Sequence, residues 1–214
     1  MVILEKIINL ILENMEIRRK YGILGILCVI LIIPLLFGTY IEYLFIQQLN
    51  FTVFIVLFCG IIMFLLIDKF IVDYGYNDTS FEALKTHDVI NALITRENKA
   101  VIWIFLLMIM IIEELIFRYY LIGILLMQAR LEVIWAIIIS SSMFSLYHIH
   151  IWFKFKNLRV LMIYLINSFF LGLFNGYILL TLGLIPCILI HYGLVLLLYY
   201  GIYKRYFKSN FNTT

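Results

Sequence analysis

The sequence predicts an all-α membrane protein, a bundle of six transmembrane helices that follows an N-terminal helix lying in the membrane interface. Two observations indicate this fold class. Hydrophobic residues make up 65% of the 214-residue chain, charged residues make up 14%, and the mean hydropathy is +1.07, whereas soluble domains are roughly half apolar and about a quarter charged. The apolar residues also form long continuous runs, as membrane helices require, and do not alternate as in membrane β-barrels.

Residues 1–22 form the first predicted element, an amphipathic helix. Apolar residues such as Ile3, Ile7 and Leu10 recur there at helical spacing, with Glu5 among the polar residues between them. A secretory signal peptide would instead begin with a basic segment and end at a small-residue cleavage site. We therefore expect a helix that lies in the cytoplasmic interface of the membrane and is not cleaved.

The six predicted spans follow, because a helix that crosses a membrane needs about 20 predominantly apolar residues. They are Ile23 to Ile46, Phe51 to Phe70, Val101 to Met127, Val133 to Ile149, Val160 to Leu180 and Gly183 to Tyr200. Residues 23–200 are thus predicted to be the transmembrane domain, and residues 201–214 a cytoplasmic tail. In the fifth span, Gly172 and Gly176 form a G-x-x-x-G pattern that predicts close packing against a neighbouring helix.

The basic residues indicate how the protein is oriented. The numbers of Lys and Arg before, between and after the six runs are 4, 0, 4, 1, 3, 0 and 3, if Lys69 at the end of the second run is counted with the loop that follows it. Short cytoplasmic loops carry the excess of these residues. We therefore predict an integral, multi-pass protein with both termini in the cytoplasm. The basic residues form no continuous stripe, so we expect no nucleic-acid partner. The remaining basic residue, Arg118, lies inside the third span.

The third span contains three ionisable residues within six positions, Glu113, Glu114 and Arg118. An ionisable side chain at the centre of a bilayer costs at least about 2.5 to 3.5 kcal/mol. Glu114 and Arg118 are four residues apart, so they share a helix face and can neutralise each other. Glu113 projects about 100° away and has no partner on its own helix. A structural ion pair would explain Glu114 and Arg118, but it would not explain Glu113.

Two histidines are candidates to act with Glu113. His148 ends the fourth span, and His191 lies midway along the sixth. At about 1.5 Å per residue from the predicted cytoplasmic side, Glu113 is about 18 Å deep and His191 about 14 Å deep, so the two can meet. Histidines beside a membrane carboxylate are typical of sites that move protons. A hydrogen bond between two helices is the alternative role for each histidine.

Three motifs occur in order: E-E-x-x-x-R at residues 113–118, F-x-x-x-H from Phe144 to His148, and His191 in a Gly-rich final pair of spans. Together they resemble the CPBP family, which includes intramembrane CAAX-prenyl endopeptidases and bacterial abortive-infection (Abi) and bacteriocin-immunity proteins. The resemblance covers roughly residues 100–200 and implies that they are the catalytic core. It also implies an endopeptidase that cuts a peptide or prenylated peptide near the cytoplasmic face of the lipid bilayer.

The resemblance assigns a role to each candidate residue. It implies that Glu113 is the general base that activates water, that Glu114 and Arg118 orient this base, and that His191 stabilises the oxyanion. His148 would hold the water or a metal. Glu113, His148 and His191 are also an acceptable ligand set for a divalent metal such as zinc, although no H-E-x-x-H motif is present. A glutamate-dependent and a metal-dependent hydrolysis therefore both remain open.

One position departs from the family pattern. An Asn or Asp usually follows the last histidine by four residues, but here Val195 does, and Val cannot donate a hydrogen bond. Asn167 or Asn175 of the fifth span would have to replace it, or the protein binds a partner without cutting. Two other functions therefore stay open. One is a non-catalytic membrane binder that confers immunity or regulates signalling, and the other is a proton-coupled transporter, which six spans without an internal repeat disfavour.

Overall fold

The computed structural model describes residues 2–95 and 100–211, with side chains at 19–94 and 100–205, and this part of the chain is helical without a β-strand. The helices are α1 Val2–Leu36, α2 Phe51–Phe70, α3 Asp78–Lys85, α4 Asp88–Thr95, α5 at residues 101–128, α6 Val133–Tyr147, α7 His150–Phe155, α8 Leu158–Leu182 and α9 Leu184–Phe211. The predicted all-α fold class is confirmed.

The chain divides into two compact units, Met1–Thr39 and Tyr40–Thr214. The first unit consists mainly of α1, whose backbone continues without a break from the predicted interfacial segment into the first predicted span. The side chains of residues 2–18, which would form the apolar face, lie outside the described side chains. The placement of residues 1–22 in the membrane interface therefore stays a prediction.

The first predicted span was too long, because α1 ends at Leu36 and not at Ile46. Gly38 and Tyr40 both adopt left-handed backbone conformations, with φ of 83° and 54°, and such residues interrupt a right-handed helix. A short 3₁₀ turn follows at Ile41–Leu44. Sequence reasoning missed this end because residues 37–46 still include five large apolar side chains, Phe37, Ile41, Leu44, Phe45 and Ile46.

Within the described residues, five helical segments are long and apolar enough to cross a membrane: Arg19–Leu36, Phe51–Gly75, Val133–Phe155, Leu158–Leu182 and Leu184–Arg205. The third predicted span corresponds to α5. Every 18-residue stretch of α5 includes its two glutamates and its arginine, which sets this helix apart from the other five. The protein is therefore an integral membrane protein with several spans, and the side on which its termini lie stays a prediction.

The helix α5 is irregular along its whole length. Its α-helical stretches, Leu106–Glu113 and Leu121–Gly123, alternate with wider π-type turns at Val101–Phe105, Glu114–Tyr120 and Ile124–Gln128. Wider turns of this kind occur frequently at functional sites. One of them begins at the second glutamate of the E-E-x-x-x-R motif, so this motif lies where the helix changes its winding.

Close packing of α8 against α6 confirms the prediction from the G-x-x-x-G pattern. A Cβ atom added to Gly172 would lie 2.8 Å from the Cβ atom of Ser141, and one added to Gly176 would lie 2.9 Å from Ile137 Cγ2. Separations below about 3 Å are not tolerated, so a side chain at either glycine would push the two helices apart. The backbone of α8 therefore lies close to α6.

The turn between α8 and α9 sets which residues of these helices face each other. Gly183 has a φ of 87°, and a Cβ atom there would lie 2.7 Å from the carbonyl oxygen of Leu44, so only glycine fits. Asn175 lies eight residues before this turn and His191 eight residues after it. In an antiparallel helix pair these positions have the same depth, about 12 Å from the turn.

Candidate active site

The buried carboxylate of Glu114 is the centre of the site. Its Oε1 accepts hydrogen bonds from His191 Nδ1 at 2.6 Å and from Asn175 Nδ2 at 3.0 Å. Its Oε2 lies 3.5 Å from Arg118 Nε, which forms the ion pair expected from the four-residue spacing. All four side chains are at most 2% exposed. Glu114 thus joins α5, α8 and α9, and each of its oxygens has a polar neighbour.

Glu113 has a different environment from Glu114. Its Oε2 lies 3.8 Å from His191 Nε2, and this oxygen makes no hydrogen bond to the described residues although Glu113 is only 5% exposed. The two carboxylates therefore flank one imidazole, Glu114 at Nδ1 and Glu113 at Nε2. A buried carboxylate oxygen without a donor is costly unless it has a role in binding or chemistry.

Phe144 connects the arginine with both histidines, a role that the sequence alone did not reveal. The Arg118 Cζ atom lies 3.8 Å from the centre of the Phe144 ring, a cation–π contact. The same ring meets the imidazole of His148 at 4.8 Å and that of His191 at 5.6 Å, edge to face in both cases. The position of Phe144 in the F-x-x-x-H motif was the available signal.

His148 is half-buried, and α6 ends at this residue. Its Nδ1 lies 2.9 Å from the carbonyl oxygen of Phe144 one turn earlier. Since a carbonyl oxygen only accepts hydrogen bonds, Nδ1 carries the proton and Nε2 keeps its lone pair in the neutral ring. His148 can therefore accept a hydrogen bond from water, and it is the most exposed of the five predicted site residues.

The predicted metal ligands Glu113, His148 and His191 are not arranged as a ligand set. Among the residues with described side chains, no group of three Cys, His, Asp or Glu is placed to hold a metal ion. The Phe144 ring contacts the imidazoles of both histidines, and His191 Nδ1 is engaged by Glu114, so only Nε2 of His191 remains for a metal. This geometry does not fit the zinc hypothesis, so no step of the reaction is derived through a metal.

Of the two asparagines expected to compensate for Val195, only Asn175 lies at the site. Its Nδ2 also donates to the carbonyl oxygen of Cys187 at 3.3 Å, and Cys187 Sγ donates back to the carbonyl oxygen of Asn175 at 3.2 Å. Both amide hydrogens of Asn175 are thus engaged, so this residue orients Glu114 and is not available to an oxyanion. Asn167 instead hydrogen-bonds Asp68.

A comparison with known families identifies the part of the chain that holds these residues. The family model described as "Type II CAAX prenyl endopeptidase Rce1-like" matches residues 96–197, just under half of the chain. This match supports a CPBP-type intramembrane protease domain in that part of the chain. All five predicted site residues lie inside the matched residues 96–197, together with Phe144 and Asn175.

The matching family implies a protease with a peptide substrate in a membrane environment. The comparisons with curated proteins and with solved structures gave no match. The family match at residues 96–197 nevertheless confirms the resemblance inferred from the three motifs.

Proposed function

We propose that the protein is an intramembrane endopeptidase in which Glu113 activates the attacking water. The contrast between the two carboxylates carries this proposal. Glu114 accepts two hydrogen bonds at Oε1 and pairs with Arg118 through Oε2. Neither Glu114 Oε2 nor Glu113 Oε2 has a hydrogen-bond donor among the described residues, but the nearest ionisable neighbour of Glu113 Oε2 is His191 at 3.8 Å. A general base needs a free lone pair within reach of the proton that it removes. Glu113 meets this requirement, whereas both oxygens of Glu114 are engaged, Oε1 in two hydrogen bonds and Oε2 in the ion pair with Arg118.

The proposed reaction is an addition of water to the scissile carbonyl group. Glu113 takes one proton from water, the water oxygen bonds to the carbonyl carbon, and the carbonyl oxygen becomes an oxyanion. The carbon–nitrogen bond then breaks, and the proton passes from Glu113 to the departing amine. His148 Nε2 accepts the second hydrogen of the water, which orients its oxygen toward the substrate.

His191 is proposed to stabilise the oxyanion. Its Nδ1 donates to Glu114, which fixes the ring so that Nε2 lies beside Glu113, 3.8 Å from Oε2. When Nε2 carries a proton it can donate to a carbonyl oxygen bound next to Glu113, and such a fixed donor typically contributes about 10² to 10³ in rate. Glu114, Arg118 and Asn175 act through His191 and are positioning residues.

The substrate is proposed to be a peptide or prenylated peptide that enters near the cytoplasmic face of the membrane. His148 is half-buried, whereas Glu113 and His191 are 5% and 2% exposed, so the entrance lies on the His148 side of the site. The basic residues of the loops predict that this side is cytoplasmic. A prenylated tail, a pheromone precursor and a bacteriocin leader are substrates of this kind.

The test is a cleavage assay with reporter peptides in liposomes, using wild type, Glu113→Gln and Glu132→Gln. The matched control Glu132 is exposed and lies just before α6. We expect Glu113→Gln to abolish cleavage while the protein stays folded, and Glu132→Gln to behave as wild type. A zinc chelator is added in parallel, and loss of wild-type cleavage in the chelator would contradict the glutamate-only mechanism.

A non-catalytic membrane binder is the alternative, and two observations favour it. The residues around Glu114 are almost completely buried, and Val195 stands where the family usually has a hydrogen-bonding residue. A binder that confers immunity or regulates signalling would not need the base. Glu113→Gln would then retain its biological activity, and no variant would cleave any peptide.

A further inference from the structure

A cavity of about 510 Å³ lies apart from the active site, between the end of α2 and the later turns of α9. Leu65, Val72, Leu197 and Leu198 form its apolar wall, and five charged side chains complete its lining. On α9 the lining residue nearest to the active site is Leu197. It lies six residues after His191, a distance of about 9 Å along the helix. The mechanism proposed above uses none of these residues.

The cavity changes from apolar to charged along both helices. On α2 and the turn after it, Leu65 is followed by the charged residues 68, 69 and 73, and on α9 Leu197 is followed by residues 204 and 205. On each helix the lining extends over eight residue steps, from Leu65 to Asp73 and from Leu197 to Arg205, which is about 12 Å. Leu65 is 39% exposed and Leu197 51% exposed, so the apolar end opens toward the hydrocarbon of the bilayer. The charged end coincides with the ends of two candidate spans, at Gly75 and Arg205, where we expect the lipid headgroups to begin.

Asp68 is the most unusual residue of this lining. It is 6% exposed, and its Oδ1 has no hydrogen-bond partner among the described residues, although Asn167 hydrogen-bonds the carboxylate. No Lys or Arg with a described side chain forms an ion pair with it. A carboxylate buried in a membrane protein is usually paired. Asp68 therefore offers a half-satisfied acceptor for a donor with positive charge.

The other side of the charged end is basic. Arg205 is held in place, because it donates to the carbonyl oxygen of Val72 and lies with its Cζ 4.4 Å from the Phe81 ring centre. Lys69 and Lys204 are exposed and form no ion pair in the described part of the chain. With Asp73, the lining holds two acidic and three basic side chains. This balance suits a zwitterion better than a simple anion or cation.

We propose that this cavity binds the headgroup of an aminophospholipid such as phosphatidylethanolamine. The primary ammonium donates to Asp68, the phosphate lies between Lys69, Lys204 and Arg205, and an acyl chain follows the leucine wall into the bilayer. A trimethylated headgroup has no N–H to donate to Asp68, and a glycerol headgroup has no positive charge. The site therefore distinguishes phosphatidylethanolamine from phosphatidylcholine and phosphatidylglycerol.

The test is native mass spectrometry of the full chain in detergent, with equal amounts of the three phospholipids added. A hydrogen bond to a charged group corresponds to a preference of at least about tenfold, so we expect one phosphatidylethanolamine to be retained at about that preference over the other two. Asp68→Asn should reduce this preference to near unity, and Asp78→Asn, an exposed aspartate outside the cavity, should leave it unchanged. Changing Lys69 and Lys204 together to Gln should weaken the binding of all three phospholipids, because both lysines face the phosphate.

A second series needs no variant and covers the case in which Asp68→Asn does not fold. Mono- and dimethylated phosphatidylethanolamine should bind wild type progressively more weakly as N–H groups are lost. Soluble phosphoethanolamine should not displace the lipid, because it lacks the acyl chain. Equal retention of the three phospholipids, a preference for phosphatidylglycerol, or displacement by phosphoethanolamine would each overturn the proposal. None of these experiments measures proteolysis, so the outcome of the lipid-binding test is independent of the proposed peptidase function.

Discussion

Replacing each of the two adjacent glutamates by glutamine should affect the stability of the protein very differently. Glu114 accepts hydrogen bonds from His191 and Asn175 and lies 3.5 Å from Arg118, with both members of this ion pair fully buried. Glu113 has a 3.8 Å contact between its Oε2 and His191 Nε2, and this oxygen has no hydrogen-bond donor in the described part of the chain. The same change of charge therefore removes a buried ion pair and weakens two charge-assisted hydrogen bonds in one case, and removes little in the other.

The magnitudes follow from these contacts. Removing one member of a buried ion pair costs about 3–5 kcal/mol, because its partner is left charged and unpaired. A glutamine at 114 keeps an oxygen that accepts from Asn175, so we expect the lower end, about 3 kcal/mol. Native stabilities are about 5–15 kcal/mol, which makes this a large loss. For Glu113→Gln we expect a change of less than about 1 kcal/mol, since no hydrogen bond is lost.

The measurement is unfolding in mixed micelles, with the folded fraction followed as the denaturing detergent is increased. Wild type, Glu113→Gln, Glu114→Gln and the exposed control Glu132→Gln are compared under one condition. Glu114→Gln should unfold well before the other three, which should coincide. An equal loss of stability in Glu113→Gln and Glu114→Gln would refute the distinction between a free carboxylate and a structural one.

Three further predictions concern other residues. Val195→Asn adds a donor one turn after His191, about 6 Å along α9, so in the reporter-peptide assay kcat should rise by up to about 10² while KM changes little. Asn175→Ala removes a donor to Glu114 and to the carbonyl oxygen of Cys187, so it should lower the unfolding free energy by about 1–3 kcal/mol and reduce kcat more than KM. Burial and the charge of Lys154 lower the pKa of His87 from 6.5 to about 4. Because the unfolded state takes up the proton first, stability present above pH 6.5 should be lost between pH 6.5 and 4, by on the order of 3 kcal/mol. Unfolding measured across this pH range should show the loss in wild type and not in His87→Gln.

The sequence by itself determined the class of protein and the residues on each helix. Composition and continuous apolar runs predict a helical membrane bundle, because backbone groups in lipid must be paired within a helix. The spacing of Glu114 and Arg118 predicts their ion pair, and the pattern at Gly172 and Gly176 predicts a close helix contact. These inferences succeed because positions on one helix are fixed by its period. The sequence did not predict the end of α1 at Leu36, because hydropathy does not reveal a left-handed turn in a largely apolar segment.

Only the tertiary structure decided which side chains from different helices meet. The sequence left both Asn167 and Asn175 as partners for the site, and these residues lie on one helix eight positions apart. The packing of α8 brings Asn175 to Glu114 and leaves Asn167 at Asp68. It also gives Glu114, and not Glu113, the hydrogen bond to His191 Nδ1. Such choices depend on the rotation and depth of each helix, which apolar runs do not record because a lipid-facing helix is apolar on nearly every side.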